Sequence, residues 1–196
     1  RMAAINGFSI FGKNHCFVLD NNGRINNQKI NLFLKKFGTS NFFIFGFTSI
    51  IYESLILKNM KKYKLTNGIL LHGGGWKKLE ELKIDNKLYK KKLREKYNLK
   101  NVINYYGMIE QTGSIFIECK CGYFITSIFS KILIRDQNFN VLKNNQKGLV
   151  QLISLLPTSY PGHNILTEDI GEIIDSSNCK CNHKGTRFLI HGRAKK

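Results

Sequence analysis

Residues 101–119 read NVINYYGMIEQTGSIFIEC, and the pattern of the chain changes within them. The segment opens as an apolar strand, breaks at Gly107, presents a carboxylate at Glu110, and turns back into a second apolar run. Upstream, strands and helices alternate. NFFIFGF (41–47) reads as a buried strand, and TSIIYESLILKNM (48–60) has helical spacing with Thr48 or Ser49 as its N-cap. GILLHGGGW (68–76) is a strand ending in three glycines. KKLEEL (77–82) and DNKLYKKKLREKY (85–97) read as helix, the second capped by Asp85 with Leu88, Leu93 and Tyr97 turned inward and its basic residues on the solvated face. This β-α-β-α-β order predicts a parallel sheet with crossover helices.

After residue 113 the alternation stops. SIFIEC (114–119), GYFIT (122–126), KILIRD (131–136), GLVQLISLL (148–156), ILTEDIGEII (165–174) and TRFLIHGR (186–193) read as strands separated by turn residues. The fold class is therefore α/β, with a parallel βαβ sheet over 1–113 and a β-rich subdomain over 114–196.

Composition narrows the class of function. The formal net charge is +18, but 25 of the 31 basic residues are Lys and only 6 are Arg. Asn (21) and Ile (24) are as inflated as Lys, a bias toward AT-rich codons rather than toward a nucleic-acid partner. Phosphate and base recognition favours the bidentate fork of Arg. No apolar run approaches the roughly 20 residues of a membrane span, and no signal peptide is evident. A mean hydropathy of −0.23 fits a soluble globular chain, expected in the cytoplasm.

Of five cysteines, Cys16 stands alone. The others form two C-x-C pairs, Cys119/Cys121 and Cys179/Cys181, with His183 nearby. An odd count without a secretory signal points to free thiols in a reducing compartment. Two readings of the pairs stand: a four-thiolate zinc site, at a spacing less specific than C-x2-C, or two strand-end turns that contain cysteine.

In an open parallel sheet, ligands bind beyond the carboxyl ends of the strands. Here the three strands end in GFTS, HGGGW and YYGMIEQTG. Tandem glycines at Gly73, Gly74 and Gly75 admit close approach of a ligand to the backbone. Tyr106 beside Gly107 can stack on a planar ring. Glu110 can hold Mg²⁺ through oxygen. Downstream, Asp169 in LTEDIGEI (166–173), after Thr167 and Glu168, can accept both hydroxyls of a ribose. Arg193 follows a strand and can pair with phosphate or ribose. Together these suit a nucleoside triphosphate.

The order of these segments resembles the adenylate-forming enzymes: acyl-CoA synthetases, peptide-synthetase adenylation domains and firefly-type luciferases. YYGMIEQ resembles their YGxTE motif, LTEDIGEI their TGD motif, and HGR the GR that precedes the hinge. FGFTS, LLHGGGWKKL, YYGMIEQTG, LLPTSYPGHNILTEDIGEI and NCKCNHKG together are similar to the acyl-protein synthetases, which activate fatty acids for the fatty-acid reductase of bacterial luminescence. The resemblance implies part of an adenylate-forming N-terminal domain, with ATP and Mg²⁺ as cofactors and a fatty acid or other carboxylate as substrate. The acyl group would pass through an enzyme cysteine to a reductase or carrier protein. Tyr106 and Gly107 would lie against adenine, Gly73–Gly75 would wall the adenine and acyl side, and Asp169 would hold the ribose. Glu110 would bind Mg²⁺, and Arg193 would contact ribose or phosphate.

The sequence also departs from the family. Ile109 stands where YGxTE has Thr, and TED stands for TGD. No phosphate loop rich in Ser, Thr and Gly precedes residue 41, and the chain stops three residues after Arg193. None of the five cysteines fits the acyl-accepting role. The expectation is a central fragment, inactive by itself, without the upstream phosphate loop or the C-terminal lysine domain. A related acyl-CoA or acyl-carrier ligase, and a non-catalytic remnant that binds only nucleotide or partner, are the alternatives.

Overall fold

In the computed structural model, β1 (Phe42–Phe47) and β2 (Gly68–Gly73) pair in parallel, from Phe42 opposite Gly68 to Phe47 opposite Gly73. Residues 2–20, 22–75, 84–158, 161–175, 177 and 179–194 are described, so the expected helix over 77–82 lies outside them. The chain forms two units, Arg1–Ile103 and Asn104–Lys196.

The first unit also carries α1 (Met2–Ser9), α2 (Asn27–Phe37), α3 (Thr48–Ile51), a π-helix (Tyr52–Lys58) and α4 (Asn86–Tyr97). Side-chain caps start two of the helices. Asn26 Oδ1 accepts from the Lys29 amide at 3.0 Å, and Asp85 Oδ1 from the Leu88 amide at 2.7 Å. Asn98, at φ 53°, ends α4 in the left-handed region.

Three sequence expectations change here. Neither Thr48 nor Ser49 caps α3: the cap position is Phe47, without a side-chain bond, and Thr48 is instead buried. In α4 the inward stripe is Tyr89, Leu93 and Tyr97, at i, i+4 and i+8, and Leu88, one position off it, is 39% exposed. The lysines of this helix are not all solvated either. Lys96 Nζ donates to the carbonyls of Leu55 (2.8 Å), Ile56 (3.1 Å) and Asn59 (2.5 Å), while Tyr97 Oη donates to Leu55 O at 2.6 Å. These bonds satisfy carbonyls that the π-helix leaves open at its C-terminal end. The stripe packs into a core with Tyr52, Leu70, Leu99 and Val102.

β3 (Asn101–Tyr106) leads into the second unit, which is built from antiparallel strands. They are β4 (Phe116–Glu118), β5 (Phe124–Ile125), β6 (Ser130–Arg135), β7 (Gly148–Ser154), β8 (Asn164–Ile174) and β9 (Arg187–Arg193). From the end of β3 their order is β3-β4-β5-β9-β8-β7-β6. Phe116, Phe124, Ile132, Ile134, Val150, Leu152 and Phe188 form the core, one face of alternating strands. The change from helix-strand alternation to short strands after residue 113 is thus present. No helix among the described residues is long and apolar enough to cross a membrane.

Candidate nucleotide site

The first unit holds the tandem glycines. Gly73 closes β2 opposite Phe47, and Gly74 lies at φ +81°, a conformation that a side chain rarely adopts. A Cβ on Gly75 would meet no atom within 4 Å. Trp76, the last residue of the expected strand end, lies outside the described residues. Beneath this turn His72 is 1% exposed, and its Nδ1 shares a 2.9 Å hydrogen bond with the Thr48 hydroxyl. Its Nε2 has no partner among the described residues. Burial, with a lesser contribution from Lys90, lowers the His72 pKa to about 3, so the ring is neutral at physiological pH. A surface cavity of about 280 Å³ in this unit is lined by residues including Arg24, Ser54 and Lys58, and by none of the site candidates.

The second unit brings together two candidates from distant strands. Tyr106, the last residue of β3, donates from Oη to Asp169 Oδ2 at 2.6 Å. Its ring packs among Phe116, Phe124 and Phe188, with centroids 6.0–6.2 Å away. Burial first, and then the bond to Asp169, push the phenol pKa well above its ordinary value, so it stays a hydrogen-bond donor. Asp169 is fixed from its own strand as well. Its amide donates to Thr167 Oγ1 at 3.1 Å, and that hydroxyl donates to Val150 O at 2.9 Å.

Arg193 is the residue opposite Asp169 in the β8–β9 register. The register shifts between Ile170 and Gly171, and Gly192 takes φ +125°. A bulge of this kind re-aims the side chains beyond it. The Arg193 guanidinium is mostly exposed, 3.7 Å from Glu168 Oε2. An exposed ion pair of that length contributes little to stability and leaves the guanidinium available.

Glu110 lies two residues beyond Met108, in a 3-10 turn over Ile109–Gln111. It is exposed, and its carboxylate has no hydrogen-bond or ion-pair partner among the described residues. Gly107 sits where an added Cβ would come 3.1 Å from Ser114 O, which explains the glycine between Tyr106 and the turn. Two positioning residues were not assigned from sequence. Gln111 is fully buried and donates from Nε2 to Gly162 O (2.9 Å) and Leu152 O (3.3 Å). A Cβ on Gly162 would overlap the Glu110 carbonyl. The only sequence signal for this pairing is the glycine in SYPGHN, whose Ser159 and Tyr160 lie outside the described residues.

The other cluster is the cysteines. The sulfurs of Cys119, Cys121, Cys179 and Cys181 all lie within 4.8 Å of one another. His183 is not in that group, though its carbonyl accepts from Arg187 Nη2 at 2.8 Å.

The sequence model of the acyl-protein synthetase family LuxE matches residues 15–196. The chain belongs to the LuxE acyl-protein synthetase family. No curated protein sequence matches it. Its fold is shared with adenylate-forming enzymes of known structure. The luciferase-like enzyme of the nonluminescent mealworm Zophobas morio superposes with a TM-score of 0.56 at 20% identity, over 87% of this chain and 42% of that one. ATP-bound MatB from Rhodopseudomonas palustris gives 0.58 at 13% identity, over 86% of this chain and 33% of that one. The long-chain-fatty-acid-CoA ligase FadD1 from Archaeoglobus fulgidus gives 0.56 at 12%, over 86% and 37%. The LuxE-family chain thus spans less than half the length of each of these structures, and it has the α/β fold of part of their adenylate-forming region.

Proposed function

We propose that this LuxE-family chain carries the nucleoside side of an ATP-dependent acid-activating site. In the complete reaction a carboxylate, a long-chain fatty acid by the family's pattern, attacks the α-phosphorus of ATP. A C–O–P bond forms, pyrophosphate leaves, and the product is an acyl-adenylate. A protein cysteine thiolate then attacks the acyl carbon, the acyl–phosphate C–O bond breaks, AMP leaves, and the resulting thioester passes its acyl group to an acyl-accepting reductase or carrier protein. The observation that carries this reading is the Tyr106–Asp169 hydrogen bond, with Arg193 opposite Asp169. It joins an aromatic ring, a diol-accepting carboxylate and a phosphate- or ribose-pairing cation in one unit of the chain.

The roles follow from the chemistry of each group. Asp169 Oδ2 is held by Tyr106, which leaves Oδ1 to accept from ribose hydroxyls. Tyr106 and Gly107 offer a flat ring and uncovered backbone to adenine. Arg193 can pair with phosphate or ribose oxygen. Gly73, Gly74 and Gly75 give a backbone turn without side chains, suited to the adenine and acyl side. Glu110 fits Mg²⁺ by donor type, an exposed carboxylate without a partner among the described residues. Bound Mg²⁺ would neutralise phosphate charge. A cytoplasmic location and the absence of a nucleic-acid partner belong to the same reading.

Because catalysis needs the α-, β- and γ-phosphates held together, the 196 residues alone are proposed to bind nucleotide without turnover. The test is fatty-acid-dependent ATP–pyrophosphate exchange, run on this chain and on a longer protein with the flanking coding sequence restored. Exchange by the longer protein only, reduced about 10²-fold or more by Glu110→Ala, supports the reading. Equal exchange by both would overturn the inactivity of the short chain. No exchange by the longer protein, with any carboxylate, would overturn the ligase assignment.

A further inference from the structure

We propose that Cys119, Cys121, Cys179 and Cys181 bind one zinc ion in a closed, structural four-thiolate site. The geometry comes first. Tetrahedral zinc with Zn–S bonds of about 2.3 Å requires sulfurs roughly 3.8 Å apart. Cys119 Sγ and Cys179 Sγ are 3.8 Å apart, Cys121 Sγ and Cys181 Sγ are 3.4 Å apart, and all four lie within 4.8 Å of one another. The five cysteines are all unbonded thiols. Four sulfurs from two segments sixty residues apart in the chain meet at one point, and an all-sulfur tetrahedral set is a soft-metal site.

The local backbone explains why C-x-C suffices. The first pair is folded together by a four-residue turn, and the second lies in an irregular connection. Cys119 and Cys121 sit in the turn between β4 and β5, closed by the Gly122 amide on Cys119 O (2.9 Å) and by Gly122 at φ +89°. Cys179 and Cys181 lie in the connection between β8 and β9, where Arg187 Nη2 donates to the carbonyls of Cys181 (2.9 Å) and His183 (2.8 Å). Both pairs are C-K-C, with exposed Lys120 and Lys180 between the cysteines. A zinc ion with four thiolates carries two negative charges, and these two lysines with Arg187 offset them.

The site has a mechanical role. β5 pairs with β9 over two residues only, Phe124 opposite Phe188 and Ile125 opposite Arg187. Zinc would fasten the β8–β9 connection to the β4–β5 turn beside this short pairing, and so set the start of the strand that ends in Arg193. The inference rests on the sulfur geometry and stands whether or not the chain binds nucleotide.

The experiment is elemental analysis of the purified 196-residue chain, with thiols counted before and after a strong chelator. The expected result is one zinc per chain, with one thiol accessible in the native protein and five after chelation and denaturation. Cys16→Ser should keep the full zinc content, while Cys121→Ser, at the exposed corner, should lose it. Where a cysteine variant fails to fold, refilling the unsubstituted chain with cobalt(II) gives a second reading. Thiolate-to-cobalt charge transfer and intense tetrahedral d–d bands support the site, and octahedral, weakly absorbing cobalt overturns it. Metal-free protein with two disulfides, metal-free protein with five freely titrating thiols, or stoichiometric iron in place of zinc would each overturn the proposal.

Discussion

Tyr106 Oη lies 2.6 Å from Asp169 Oδ2, so residues 63 apart in the chain share one hydrogen bond. Because Tyr106 is mostly buried, removing either partner should leave a mark. Tyr106→Phe keeps the ring among Phe116, Phe124 and Phe188 and should cost about 0.5–1.5 kcal/mol. Asp169→Ala leaves the phenol without its acceptor and should cost more, about 1–3 kcal/mol. Urea unfolding of the two variants checks the order, and equal stability of both with the parent would contradict it.

Gly162 is packed against the Glu110 backbone, and Gln111 holds its carbonyl. Gly162→Ala should therefore force the Glu110 turn away and destabilise the chain by about 1–3 kcal/mol. Gln111→Leu should be destabilising by a comparable amount, since two buried carbonyls lose their donor. Thermal unfolding together with the Glu110-dependent effect of Mg²⁺ on nucleotide binding measures both. An unperturbed Gly162→Ala would contradict the close approach.

His72 predicts a pH dependence. Its folded pKa, about 3, lies below the unfolded value near 6.5. Between these values the unfolded chain binds the proton and the folded chain does not. Stability from this group is therefore present above pH 6.5 and is lost as pH falls toward 3, by an amount of the order of a few kcal/mol. His72→Gln should flatten that part of the profile of unfolding free energy against pH. An unchanged slope between pH 6.5 and 4 in the variant would rule the account out.

Lys96 caps three carbonyls at the end of the π-helix. Burial, with Lys62 as a lesser cause, lowers its pKa. Lys96→Met should cost about 1–3 kcal/mol, whereas Lys91→Met, on the exposed side of the same helix, should change little. Chemical denaturation of the two variants separates a structural lysine from solvated ones.

Much of this was legible in the sequence. Strands were marked by apolar runs between turn residues and α4 by Asp85, while Tyr106 and Asp169 stood out as candidates in two separate motifs, without any sign of the hydrogen bond between them. What escaped was information that no local segment contains. Tyr89 rather than Leu88 is buried because the stripe is set by the partner elements, not by which residue is the more apolar. Thr48 serves His72 instead of a helix end because β1 and β2 pair in register. Gln111 and Gly162 meet only because the β7–β8 connection folds back on the 3-10 turn.

The central claim is that these residues hold the nucleoside of ATP. Isothermal titration of the 196-residue chain with AMP and with ATP, in the presence and absence of Mg²⁺, tests it most directly. The account predicts measurable binding of both, abolished by Asp169→Ala and weakened by Arg193→Ala, with Glu110→Ala removing mainly the Mg²⁺ dependence of ATP. Absence of binding by the folded chain, or binding that Asp169→Ala leaves intact, would contradict it.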